Sequence, residues 1–122
     1  MTSREQENCA ADTQSTRSRQ IRKLNDQLRI GMQGGQVFAT NGICSLKKGM
    51  LATILAAVRS FDAFTPDNDP YGEHDFGALS VAGHRVCWKI DYFDNSMRMA
   101  SPDPTDPAVT IRVLTIMLAS EY

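Results

Sequence analysis

Apolar residues first recur with a helical period from about Thr16 onward. Ile21, Leu24, Leu28 and Met32 fall at i, i+3, i+7 and i+11, one stripe along a helix, while Arg17, Arg19, Arg22, Lys23 and Arg29 take much of the remaining surface. Gly34-Gly35 stops that helix. Residues 36–40 read as a short strand, and Asn41-Gly42 turns the chain out of it. Ser45 is placed to cap a second helix with Met50, Leu51, Ile54, Leu55 and Val58 on its apolar face. Thr65-Pro66 closes this segment, because the residue before a proline is driven out of helical space.

The period then changes to two. Residues 76–81 and 84–93 alternate as strands around Ala82-Gly83, a two-residue hairpin connection. Such a hairpin sets Val81 opposite His84, Leu79 opposite Val86 and Gly77 opposite Trp88. It gathers Leu79, Val81, Val86, Trp88, Ile90 and Tyr92 on one face and leaves room above Gly77 for the indole. After the proline-rich 101–107 segment, Asp106 reads as an N-cap and Pro107 as the first residue of a last, largely buried helix carrying Val109, Ile111, Val113, Leu114, Ile116, Met117 and Leu118. The expected fold is α+β, in the order α-β-α-β-β-α. It has a three-stranded antiparallel sheet and three helices packed mainly on one face.

Composition supports one core. With 122 residues, 42% hydrophobic and 22% charged, the chain has the size of a single domain. Residues 1–15 are polar and aperiodic and read as a disordered tail, with the domain over 16–122. No apolar run is long enough to span a bilayer and the first residues lack a signal-like apolar stretch, so the expected compartment is the cytoplasm. Cys9, Cys44 and Cys87 are an odd count without CxxC spacing, which argues against a disulfide framework and a zinc site. The net charge of −1 hides a division. Residues 1–61 hold nine Lys/Arg against four acids, and residues 62–106 hold three against nine. Either the two segments neutralise each other across the fold, or they form a basic and an acidic partner surface.

The densest polar cluster is 67–75. Asp67, Asp69 and Gly72 match three positions of a calcium loop, but Tyr71 and Ala78 stand where oxygen ligands are needed, so no metal or cofactor is expected. Extending the hairpin register sets His74 opposite Asp91 and Glu73 opposite Tyr92. A carboxylate beside an imidazole is an acid–base arrangement, which makes Glu73, His74 and Asp91 the candidates for a small hydrolase or transferase. The bland counterpart is a structural network of short polar side chains at a loop. Cys87 shares its strand face with Arg85 and Lys89, cations that would lower a thiol pKa. The basic first helix invites a DNA-binding reading, but no aromatics are interleaved for base stacking. The Asp-Pro pairs stiffen two acidic loops, so Asp67, Asp69, Tyr71, Glu73, Asp94 and Asp103 are candidate partner contacts.

The segments Asn25-Asp26-Gln27-Leu28-Arg29, 68–77, Trp88-Lys89-Ile90-Asp91-Tyr92, Ser101-Pro102-Asp103-Pro104 and 110–122 together resemble a bacterial domain-of-unknown-function family met on plasmids and other mobile elements of proteobacteria. The resemblance brings no catalytic residues. It implies a small accessory protein of mobile DNA, a setting in which proteins that block host restriction or CRISPR machinery occur. The expected function is therefore a non-enzymatic binding protein that inhibits a nucleic-acid-binding defence complex (anti-CRISPR or anti-restriction). The alternatives are the small enzyme and a DNA-binding accessory factor.

Overall fold

The structure, a computed structural model, describes the backbone of residues 3–122 and the side chains from residue 15 onward. The tail expected over 1–15 falls largely on residues whose side chains, Cys9 included, lie outside the described residues. Helix α1 spans Ser3–Gly31. Its core-facing stripe is Ile21, Asn25, Leu28 and Arg29, so two polar residues sit among the expected apolar ones. The helix ends before Gly34-Gly35. Met32 adopts a left-handed conformation (φ 57°) and its N–H donates to the Leu28 carbonyl, a left-handed cap made without glycine. Gly35 is needed for a different reason: a Cβ there would lie 2.5 Å from the Arg112 carbonyl oxygen.

Strand β1 (Gln36–Ala39) leads into a short helix α2 (Asn41–Cys44), which buries Ile43. Helix α3 (Met50–Ser60) buries Ile54 and Val58 and leaves Leu51 exposed. The helix expected behind Ser45 begins only at Met50, capped by Gly49 at φ 88°; Ser45 instead ends α2, which forms where Asn41-Gly42 was expected to turn the chain. Strands β2 (Phe76–Val81) and β3 (His84–Phe93) form the expected hairpin, with Val81 opposite His84, Leu79 opposite Val86 and Gly77 opposite Trp88.

The last segment overturns the expected architecture. Asp106 does cap, accepting from the Ala108 N–H, but only for the 3₁₀ turn Pro107–Val109. The chain then enters strand β4 (Ile111–Leu118), which pairs antiparallel with β3 and parallel with β1. The sheet is four-stranded and mixed, in the order β1-β4-β3-β2, and replaces the three-stranded antiparallel sheet with a closing helix. The reason is physical. Side chains on both faces of β4 are buried, Leu114 and Ile116 on one and Val113 and Met117 on the other, so the strand reads as an apolar run without the alternation that marks a strand, and its spacing also fits a buried helix. The β-branched Ile111, Val113, Thr115 and Ile116 favour the extended form.

Helices α1 and α3 cover one face of the sheet. There Leu28, Ile54 and Val58 meet Val81, Val86, Trp88, Ile90, Leu114 and Ile116 in one core. Trp88 is fully buried, its ring edge-on to Phe61 (5.7 Å) and Phe64 (6.1 Å). Gly77 lies directly under the indole, where any Cβ would collide with Nε1. Among the described residues no helix is long and apolar enough to cross a membrane.

Candidate functional site

Two loops, 61–75 and 94–106, meet along α1, and buried polar side chains fasten them. Asn25, wholly buried, donates from Nδ2 to the Glu73 carbonyl (3.0 Å) and to the Tyr92 hydroxyl (2.7 Å). Its Oδ1 accepts from Arg112 Nε at 2.9 Å, and Arg112 Nη2 donates to the Pro104 carbonyl. The Tyr92 hydroxyl donates onward to Glu73 Oε1 at 3.1 Å. Burial pushes the Glu73 carboxyl above the ordinary carboxylate range, with the Tyr92 hydrogen bond opposing. Burial also raises Tyr92 and Asp75. Farther along α1, Arg17 pairs with Asp103 at 3.0 Å.

His74 stands near the end of the first loop, two residues before β2, in a left-handed conformation (φ 55°). Its Nδ1 is 2.9 Å from Asp26 Oδ1, and its backbone N–H donates to Asp69 Oδ1 at 3.1 Å. Nε2 lies 3.6 Å from Asp69 Oδ2, and the ring stacks on Phe64 with centroids 3.7 Å apart and planes within 5°. Phe64, Pro66, Asp69, Pro70, Tyr71 and His74 help to line an open cleft of about 450 Å³. A smaller hollow of about 250 Å³ lies between Ile30, Ala56, Arg59 and Ser60, where Arg59 Nε is already committed to the Ile30 carbonyl.

The expected acid–base trio is not assembled. The left-handed turn at His74 breaks the register that would have set it opposite Asp91. His74 turns to Asp26 and Asp69, Glu73 is held by Tyr92, and Asp91 pairs with Lys89 at 3.0 Å. Among the candidate partner residues, Tyr71 is 73% exposed and Asp67 is exposed, but Asp69 is buried under the loop it was expected to decorate. Asp94 and Asp103 fold their own loops. Asp94 accepts from the Ser96 hydroxyl and from the N–H groups of Ser96, Arg98 and Met99; Asp103 accepts from Thr105 and Arg17. These hydrogen bonds hold both carboxyls below their ordinary range.

The basic face of α1 is likewise redistributed. Arg29 is 2% exposed and corrects its expected surface position. Its Nη1 donates to the Val58 (2.9 Å) and Phe61 (2.8 Å) carbonyls at the end of α3, satisfying groups a helix terminus leaves open. Arg22 Nη1 reaches the Gly72 carbonyl at 3.5 Å, whereas Arg19 and Lys23 stay exposed. Cys87 is buried, which raises its thiol pKa against the expectation drawn from Arg85 and Lys89. Asn25, Asp26 and Arg112 were not singled out as site residues from the sequence. Their signal was polarity at core-facing positions: Asn25 four residues beyond Ile21 on α1, and Arg112 inside an apolar run. Among the described residues, no group of three or more His, Cys, Asp or Glu is placed to hold a metal ion.

Fold and site together define a small α+β domain whose mixed sheet is covered by helices on one face, with two acidic loops fastened to its first helix. A family described as "Protein of unknown function (DUF3768)" matches residues 39–121, and the chain belongs to it. No curated protein and no solved structure matches the chain.

Proposed function

We propose that this domain is a non-enzymatic binding protein that engages a basic partner surface through its acidic loops. The observation that carries this reading is the Asn25–Arg112 pair, which joins the loops: Asn25 holds loop 61–75 at Glu73 and Arg112 holds loop 94–106 at Pro104. Acidic segments distant in sequence thereby become neighbours on a pre-organised surface, so little ordering entropy is lost on binding. Asp62, Asp67 and Tyr71 of the first loop and Met99 and Asp106 of the second are exposed, Met99 to 70%. In the mobile-element setting that the resemblance implies, the partner is a nucleic-acid-binding defence complex of the host. The carboxylates would occupy a groove built for phosphates and so inhibit restriction or CRISPR targeting.

One observation favours an enzyme instead: the Asp26–His74 contact at the wall of the cleft, a carboxylate orienting an imidazole. The DNA-binding alternative has less support, because Arg29 is buried and Arg17 is paired with Asp103. Tagged protein incubated with lysate of a defence-positive host tests the proposal. Capture of a nucleic-acid-binding complex, and inhibition saturating near about one molecule per partner site, is the expected result. Asp62→Lys with Asp67→Lys, both exposed, should abolish capture at unchanged melting temperature. Capture that survives this double reversal refutes the acidic surface, and a steeply salt-sensitive DNA shift by the free protein supports the DNA-binding alternative.

A further inference from the structure

The cleft beside His74 has the chemistry of a receptor for one planar cation. Asp69 lines it with a side chain only 6% exposed. Its Oδ1 is used by the His74 N–H; its Oδ2 accepts no hydrogen bond among the described residues and lies 3.6 Å from His74 Nε2, an ion pair only when that imidazole is protonated. A carboxylate oxygen that accepts no hydrogen bond at the wall of an open cleft is free to accept one from a cation that enters it. Pro66, Pro70 and Tyr71 supply flat apolar walls, and Tyr71 is 73% exposed, so its ring is open to stacking. The loop is set in advance: Asn68 bridges Thr65 and Ala63, and Asp69 N–H closes on the Thr65 carbonyl. The cations nearest the cleft are engaged elsewhere, Arg22 on the Gly72 carbonyl and Arg29 on the end of α3.

Resting on the binding reading above, we infer that this cleft receives an arginine side chain of the partner, its guanidinium donating to Asp69 Oδ2 and lying against the Tyr71 ring. Arginine fits better than lysine because a planar fork stacks and donates at once, whereas an ammonium is a compact, strongly hydrated charge. The site makes Tyr71 the anchor of the interface and the surrounding carboxylates its rim.

A partner-free titration tests this. Isotope-labelled full chain is titrated with N-acetyl-arginine amide and, separately, with N-acetyl-citrulline amide, which keeps the planar shape without the charge. Arginine amide should move the amide resonances of residues 65–74 saturably, and citrulline amide should bind several-fold more weakly. Tyr71→Ala, at an exposed position, should weaken arginine amide roughly three- to fivefold while the remaining resonances stay in place. Equal binding of the two amides, an unchanged affinity in Tyr71→Ala, or no saturable movement at 65–74 overturns the assignment. Because no partner takes part, failure here leaves the charge-reversal test intact, and failure of partner capture leaves this titration intact.

Discussion

The side-chain oxygen of Asn25 accepts a hydrogen bond from Nε of Arg112 at 2.9 Å, across 87 positions of sequence, and both residues are buried. One asparagine amide thereby joins the first helix to the central strand and, through Glu73 and Tyr92, to the acidic loop and the hairpin. A buried network of this kind specifies one arrangement when every member is satisfied and is costly when one is removed.

Asn25→Ala should therefore be among the most damaging changes on α1. It strands the Arg112 Nε–H and the Glu73 carbonyl, and should cost roughly 2–4 kcal/mol in chemical denaturation. Gln27→Ala, exposed on the same helix, should stay within about 0.5 kcal/mol. Equal costs for the two would show that the network contributes no stability.

On the hairpin, Trp88→Ala should cost roughly 3–5 kcal/mol, since the indole is wholly buried and its loss leaves a cavity over Gly77. Lys89→Ala points to the other face, where only the Asp91 pair is lost, and should cost under about 1 kcal/mol. Gly77→Ala should also destabilise, by roughly 1–3 kcal/mol, because the added methyl meets the indole. Thermal and urea unfolding of the three variants measures this ordering.

Glu73 gives stability a pH dependence of definite sign. Its folded pKa lies above the ordinary 4.5 through burial, so the folded state holds a proton that the unfolded state has released. Stability then falls as pH rises from about 4.5 through the folded value, and levels off above it. Glu73→Gln keeps an oxygen for the Tyr92 hydroxyl and removes the buried charge. The melting-temperature advantage of Glu73→Gln should therefore grow with pH across that window. An advantage that shrinks instead would show that Glu73 is stabilised as the carboxylate.

His74 separates binding from catalysis. His74→Asn accepts the left-handed backbone more readily than alanine and removes the imidazole contact with Asp26. In a binding protein this variant should inhibit stoichiometrically, with affinity changed only through local loop geometry. In an enzyme it should lose turnover by orders of magnitude while remaining folded. Action at far below one molecule per target, abolished in folded His74→Asn, would refute the binding proposal and establish the enzyme.

Much of the fold was legible because it rests on local periodicity. The stripe Ile21, Leu24, Leu28 marked α1, and alternation around Ala82-Gly83 set the β2–β3 register pair by pair. Whether residues 111–118 form a helix or a strand was not a local matter. Their apolar run suits either, and pairing with both β1 and β3 decided it by satisfying the backbone on two edges. The same holds for the site. Acidic loops with prolines could be read directly, but a sequence does not show which carboxylate faces water. Asp67 stays outside while Asp69, two residues on, turns in to His74, and Arg29 leaves the basic face to close α3. Hydrogen-bond partners for these groups lie tens of residues away, so only the packing of α1 against the sheet could choose them.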